Sequence, residues 1–171
     1  LEVFSNADGT IQYVELVDNG VSGGEVNVGN GSLSSSLHSI SWSNGPVTGP
    51  TNGRKYLIAT AGFAALPGAP VPDVIIPAVN VPFFDVAGDT VAFGGFDSLP
   101  FGPVPTNGVD SFDELTGVGP NTPTNYAGVT GSVGGPAPSV PMGSSVTQFI
   151  VAALLVAVAL IFVKRSRTAV V

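Results

Sequence analysis

The sequence predicts a mainly β extracytoplasmic body, built as a sandwich or barrel, followed by one C-terminal transmembrane α-helix. Three observations carry this. Asx-Gly dipeptides punctuate the first two thirds of the chain at Asp8-Gly9, Asn19-Gly20, Asn30-Gly31, Asn44-Gly45, Asn52-Gly53 and Asn107-Gly108. Such pairs supply the positive φ that tight hairpin turns require. Short apolar or alternating runs lie between them. Near the end, Met142 to Val163 is a 22-residue stretch with no charge.

The strand candidates follow in order. Ile11, Tyr13 and Glu15 alternate against Gln12, Val14 and Leu16, the period of an extended chain. Leu37–Trp42, Tyr56–Thr60, Val74–Ile76, Thr90–Phe93 and Asp97–Phe101 are further short runs. Several such strands divided by Gly and Pro turns point to a sandwich or barrel. Thr60–Leu66 (TAGFAAL) is the one place where a short helical turn is expected. From Gly128 to Ser145 the chain turns to Gly, Ser, Pro and Val, with a Gly134-Gly135-Pro136-Ala137-Pro138 string, so residues 131–145 read as a linker. The expected organisation is a body over 1–130, this linker, a span over 146–163 and a tail over 164–171.

As a helix the uncharged stretch is about 33 Å long, close to the ~30 Å hydrocarbon core of a bilayer. It is apolar all round, which suits lipid better than a groove on a protein. Lys164, Arg165 and Arg167 follow directly and are three of the five basic residues in the chain. Positive charge prefers the cytoplasmic side, so these three set the topology. The C-terminus is expected in the cytoplasm and the body in the periplasm or outside, at a bacterial inner membrane. The start at Leu1 is read as the product of a removed secretory leader. Small residues Ala152, Ala153, Ala157 and Ala159 give the helix a face for close approach to another transmembrane helix.

Ahead of the span stand twelve acidic residues and only Arg54 and Lys55 as bases, so the body carries about −10. That charge opposes nucleic acid and anionic lipid headgroups as partners. There is no cysteine, which removes disulfides and thiolate metal sites.

No catalytic, cofactor or metal constellation is expected. His38 is the only histidine and sits in a Ser-rich run without a nucleophile-elbow motif. The sets Asp110, Asp113, Glu114 and Asp8, Glu15, Asp18 lack EF-hand spacing and read as solvated loops. Trp42 and Phe83-Phe84 read as core; Pro82, Phe83 and Phe84 on an exposed loop would form a contact anchor.

The opening Glu2-Val3-Phe4-Ser5-Asn6 leading to Tyr13-Val14-Glu15-Leu16 resembles the first strand pair of lamin-tail domains, in which an aromatic-Val-Glu-Leu strand follows an Asn-Glu-Val start. Later pieces are similar and colinear: Thr51–Ala59, Ala87–Phe93 (AGDTVAF), Asp97–Gly102, Asn107–Leu115 and the closing Pro120-Asn121-Thr122-Pro123. The chain is closest in kind to the bacterial secreted subset of that family, over residues 1 to about 130. It departs from the pattern between Val17 and Trp42, and again at Asp113-Glu114, where the family carries a basic residue. The resemblance implies an immunoglobulin-like sandwich used for adhesion or protein–protein contact, with no catalytic residue to carry over.

The reading is therefore a non-enzymatic, single-pass accessory subunit without cofactors, held among integral membrane proteins and the lipid bilayer. A bacterial energy-transducing assembly, such as a photosynthetic reaction centre with its antenna, is the expected kind of complex. The span has no histidine to ligate a chlorophyll magnesium, so the role there would be scaffold. The competing reading is a surface-displayed binding domain with a cleavable sorting tail, in which Val140-Pro141-Met142 stands where a Pro-Glu-Pro motif would be.

Overall fold

A computed structural model describes residues 1–20 and 23–134. The fold is mainly β, in two sheets. β1 (Glu2–Ser5), β2 (Gln12–Val17), β5 (Lys55–Thr60), β6 (Val74–Ile76), β9 (Asp110–Asp113) and β10 (Gly117–Pro120) form a six-stranded sheet in the order β10-β9-β1-β2-β5-β6. Its strands run antiparallel except for β5 and β6, which are parallel. β3 (Ser32–Ser34), β4 (Ser39–Ser41), β7 (Asp89–Phe93) and β8 (Asp97–Phe101) form an antiparallel four-stranded sheet in the order β4-β3-β7-β8.

The central strands β1, β2 and β5 of the six-stranded sheet are buried on both faces. Alternate residues Val3, Val14 and Ile58 meet Leu33, Ile40, Val91 and Leu99 of the other sheet in one core. The intervening residues Phe4, Tyr13, Leu57 and Ala59 form a second core with Phe63 and Val133. Tyr13 stacks on Phe4 at 5.2 Å between ring centroids and meets the edge of Phe63 at 5.1 Å. Phe63 lies on the helical turn α1 (Ala61–Ala64), where a helical turn was expected. The Thr60 hydroxyl caps that turn by accepting from the Phe63 N–H at 3.2 Å.

Four of the six Asx-Gly turns use their glycine as the dipeptide predicts, with φ of 71° at Gly9, 84° at Gly45, 67° at Gly53 and 78° at Gly108. Gly31 is a glycine for another reason. A Cβ there would come within 2.7 Å of the Trp42 ring and 2.8 Å of the Phe93 ring.

The structure differs from expectation in several places. The run Leu37–Trp42 is strand only over Ser39–Ser41, because the Ser35 hydroxyl accepts the N–H groups of Leu37 and His38 and bends the chain into a turn. β3 and β10 are strands without an apolar run. The body also extends past residue 130. Val133 is fully buried, and Asn121 fastens it by accepting its N–H at 2.8 Å and donating to its carbonyl at 2.7 Å. Phe83 and Phe84 are fully buried, which places them in the core, as the core reading of the pair had it, and not on a contact loop, while Pro82 beside them is exposed. The linker beyond Gly134, the span with Ala152, Ala153, Ala157 and Ala159, and the tail with Lys164, Arg165 and Arg167 lie outside the described residues.

Burial of the Phe83–Phe84 backbone depends on Gln12. Its side chain is fully buried between the sheets. Oε1 accepts the Phe83 N–H at 2.6 Å, and Nε2 donates to the Phe84 carbonyl at 2.9 Å and the Ser5 hydroxyl at 3.2 Å. Without that amide, a backbone N–H and a carbonyl would be left unpaired in an apolar core, at about 1–3 kcal/mol each. Gln12→Leu, which conserves volume and removes the polar atoms, should lower the unfolding free energy by about 3 kcal/mol in urea denaturation. A loss within about 0.5 kcal/mol would mean the loop holds itself.

Candidate functional site

The second face of the six-stranded sheet carries the densest ionisable chemistry among the described residues. Register sets it up: Asp113 pairs with Glu2, and Glu2 with Glu15, so three carboxylates lie in a row across β9, β1 and β2. Glu2 is 5% exposed and Glu15 is 2% exposed. Carboxylates this buried require partners, and each has them. The Tyr13 hydroxyl donates to Glu2 Oε1. Lys55 Nζ lies 2.5 Å from Glu15 Oε1, and the Thr124 N–H donates to Glu15 Oε2 at 2.6 Å. Asp113 Oδ1 accepts the N–H groups of Leu115 and Thr116 and the Thr116 hydroxyl, which forms the β9–β10 turn.

The groups respond differently to this setting. Burial pushes the Glu15 carboxyl up to about 7 despite the bond to Lys55, and the charge of Glu2 adds to the rise. Burial, followed by the Glu2 charge, raises Tyr13 well above the ordinary phenol value, so it remains a neutral donor. Burial works against ionised Asp113, but the hydrogen bonds from Thr116 and Leu115 outweigh it and hold that carboxyl below its usual value.

Beside this row opens a cleft of about 230 Å³, lined by Glu2, Lys55, Ser111, Asp113, Gly117 and Pro120 among others. Gly117 and Gly119 leave it open, since neither offers a side chain to fill it. Its chemistry is ionic and hydrogen-bonding. The Ser111 hydroxyl faces the Gly119 carbonyl at 3.5 Å. His38 lies in the other sheet's β3–β4 turn, and its hydrogen bonds among the described residues run through its backbone to Ser35.

A second set of polar groups ties the segment after β10 across this face. Asp73, immediately before β6, accepts the N–H groups of Leu57 at 2.8 Å and Tyr126 at 2.9 Å. Burial raises its carboxyl above the usual value, against these two bonds. Asn125 donates to the Val71 carbonyl and accepts the Val129 N–H, both at 3.0 Å. Arg54 lies over the Tyr126 ring at 5.6 Å.

Neither acidic set singled out in the sequence gathers into a cation cage; among the described residues no group of three or more His, Asp or Glu is arranged to hold a metal ion. Asp8 accepts from Thr10 and Asp18 from Thr51 in separate turns, while Glu15 is buried in the sheet. Trp42 stands at the edge of the core, stacked at 6.2 Å against both Tyr56 and Phe93, with its Nε1 donating to the Val28 carbonyl. Sequence reading named neither Glu2 nor Lys55 as site residues. The signal was available: a glutamate at each of two paired positions of a strand pair flanked by apolar residues.

No protein-family model, curated protein or solved structure matches the chain.

Two outcomes follow from this site. With its folded-state value raised from 4.5 to about 7, Glu15 holds a proton in the folded chain that the unfolded chain releases. The penalty of an ionised Glu15 is present in full above the folded value and is gone below the unfolded value, so stability from this group rises as pH falls through that window. The size is on the order of 1–3 kcal/mol. Glu15→Gln should flatten the pH dependence of unfolding between about pH 8 and pH 5; an unchanged slope would assign it to other groups. Asn121→Ala should cost about 1–3 kcal/mol and make residues 122–134 the first site of limited proteolysis. Cleavage that starts elsewhere would show that Asn121 does not hold the segment.

Proposed function

We propose that this chain is a non-enzymatic, single-pass membrane protein whose extracytoplasmic body and helix brace a larger assembly of integral membrane proteins. The observation that carries the reading is the uncharged run from Met142 to Val163 with Lys164, Arg165 and Arg167 directly behind it. A run of that length, charged only at one end, satisfies both the thickness of a bilayer and the preference of cations for the cytoplasm. The body is read as an immunoglobulin-like sandwich of the lamin-tail kind, a reading supported by two packed sheets and by the colinear motifs in the sequence. Its buried polar groups support architecture over chemistry. Glu2, Glu15, Gln12 and Asn121 spend their hydrogen bonds on strands, on the Phe83–Phe84 loop or on the segment after β10.

The assembly is proposed to be an energy-transducing complex of a bacterial inner membrane, of the reaction-centre and antenna kind, with this chain as scaffold. The helix would dock through Ala152, Ala153, Ala157 and Ala159, where small side chains let backbones approach.

Purification from mild-detergent membranes through a tag after Val171, followed by mass spectrometry, tests this directly. A stoichiometric set of integral membrane proteins is expected. A chain that purifies alone, or that has lost its tail, would support the surface-displayed binding domain instead. Ala153→Leu with Ala157→Leu should lower co-purification about tenfold, the effect of losing roughly 1–2 kcal/mol of helix contact. The unfolding midpoint of the body should stay unchanged. Full recovery of partners with that double variant would remove helix docking from the mechanism.

A further inference from the structure

Of the two glutamates buried in the six-stranded sheet, Glu15 has the Lys55 ammonium beside it, whereas Glu2 has no cation among the described residues. The side-chain bond that Glu2 does make is to a neutral group, with Oε1 accepting from the Tyr13 hydroxyl. Oε2 accepts no bond among the described residues. It is not sealed in the core either, because no buried side-chain oxygen there is left without a partner. Glu2 lines the cleft of about 230 Å³ beside the carboxylate row, so Oε2 opens into that cleft. A carboxylate that is 5% exposed and faces no counter-charge is costly, and the cleft is where a cation would relieve the cost.

The walls suit a donor with several N–H groups. Ser111 and Thr122 line the cleft with hydroxyls, and Gly117 and Gly119 leave the backbone of β10 bare towards it. Asp113 adds negative charge, although its Oδ1 is taken by the β9–β10 turn. Lys55 is the one base in the lining and is committed to Glu15 Oε1.

The geometry also separates one kind of cation from another. A metal ion needs several oxygens converging on one point, and no group of three or more His, Asp or Glu among the described residues is so arranged. A guanidinium is held best by both oxygens of one carboxylate, and Glu2 has only one to give. An ammonium needs a single anionic oxygen and neutral acceptors for its other N–H groups. The cleft has room for a short alkyl chain behind that group, against Pro120.

We propose that this cleft binds a primary alkylammonium group, held by Glu2 Oε2 and the oxygens of β9 and β10. The group belongs either to a free amine or to the lysine side chain of a partner. The proposal does not depend on the membrane-span reading, and each can fail without the other.

The test is a titration of the full isotope-labelled chain in detergent, followed by NMR at the backbone amides of Gly117 and Thr122. The probes are n-butylammonium chloride, Nα-acetyl-lysine methylamide and its arginine analogue, with sodium chloride at equal ionic strength as the control. Saturable shifts of both amides with the two alkylammonium probes, absent with sodium, are expected. Equal affinity for the two would assign the site to free amines, and tighter binding of the lysine amide would assign it to a partner's side chain. Glu2→Gln keeps an oxygen for the Tyr13 hydroxyl and loses the charge, so it should weaken binding about tenfold or more. A Cβ at Gly119 meets nothing within 4 Å, so Gly119→Val should fill the cleft and abolish binding with the unfolding midpoint unchanged. If Glu2→Gln does not fold, Gly119→Val decides alone. No saturable shift with either alkylammonium, the same shifts with sodium, equal binding of the arginine amide, or undiminished binding by the folded variants would each overturn the proposal.

Discussion

The central strands of the six-stranded sheet have no solvent side. β2 is enclosed between the four-stranded sheet on one face and α1 with the segment ending at Val133 on the other. This double burial is the constraint from which the rest follows. A strand enclosed in this way could be made wholly of Val, Ile and Leu, as strands buried on both faces commonly are. β2 instead carries Gln12 on one face and Glu15 on the other, so each face must supply a complete set of partners. The loop from Val81 to Phe84 answers Gln12, and Lys55 with Thr124 answers Glu15. No buried side-chain nitrogen or oxygen among the described residues is left without a partner. Apolar contact holds the sheets together without direction; these polar groups select which loop lies where.

The two faces differ in chemical character. On the Gln12 face the polar group is neutral and its bonds are indifferent to pH. On the Glu15 face two carboxylates share one nearby ammonium and one phenol. The charge of Glu2 raises the cost of ionising Glu15, which adds to desolvation. Replacing such a cluster by apolar side chains of equal volume would often leave a protein no less stable. Its contribution is geometric: the Glu15 oxygen that accepts from Thr124 fixes one end of the segment after β10 in a specific register.

Much of the fold could be read from the residues, and the failures have a common cause. β2, β5, β6, β7 and β8 carry Val, Ile, Leu, Phe or Tyr in runs, and their bounds fall close to expectation. β3 is Ser-Leu-Ser with one buried side chain, and β10 is Gly-Val-Gly-Pro with none. Both are strands because a neighbour offers them a ladder, a property of the partner and not of the segment itself. The alternation of β2 was legible, but which face was solvated was not, since neither is. The candidate site was less visible still. Glu2 and Glu15 stand thirteen positions apart in the chain and become neighbours only through antiparallel register. Asn121 stood only in the closing Pro-Asn-Thr-Pro piece of the resemblance, and it proves to be a clamp on Val133. Linker composition misled for the same reason: Gly, Ser and Val over 128–133 resemble a tether, yet one valine with a socket and a clamp is enough to make the segment part of the body.

That clamp acquires a purpose if the apolar run is a span. Any load arriving along the chain from the C-terminal side would then meet the clamp on Val133. At that point the chain is held on both sides of its backbone, since Asn121 engages the N–H and the carbonyl of the same residue. Asn121 in turn donates from its side chain and its backbone to the Val109 carbonyl, immediately ahead of β9. β9 pairs with β1, the centre of the sheet. A pull on the tether is thus delivered through hydrogen bonds to a central strand, and peeling would have to break several of them together.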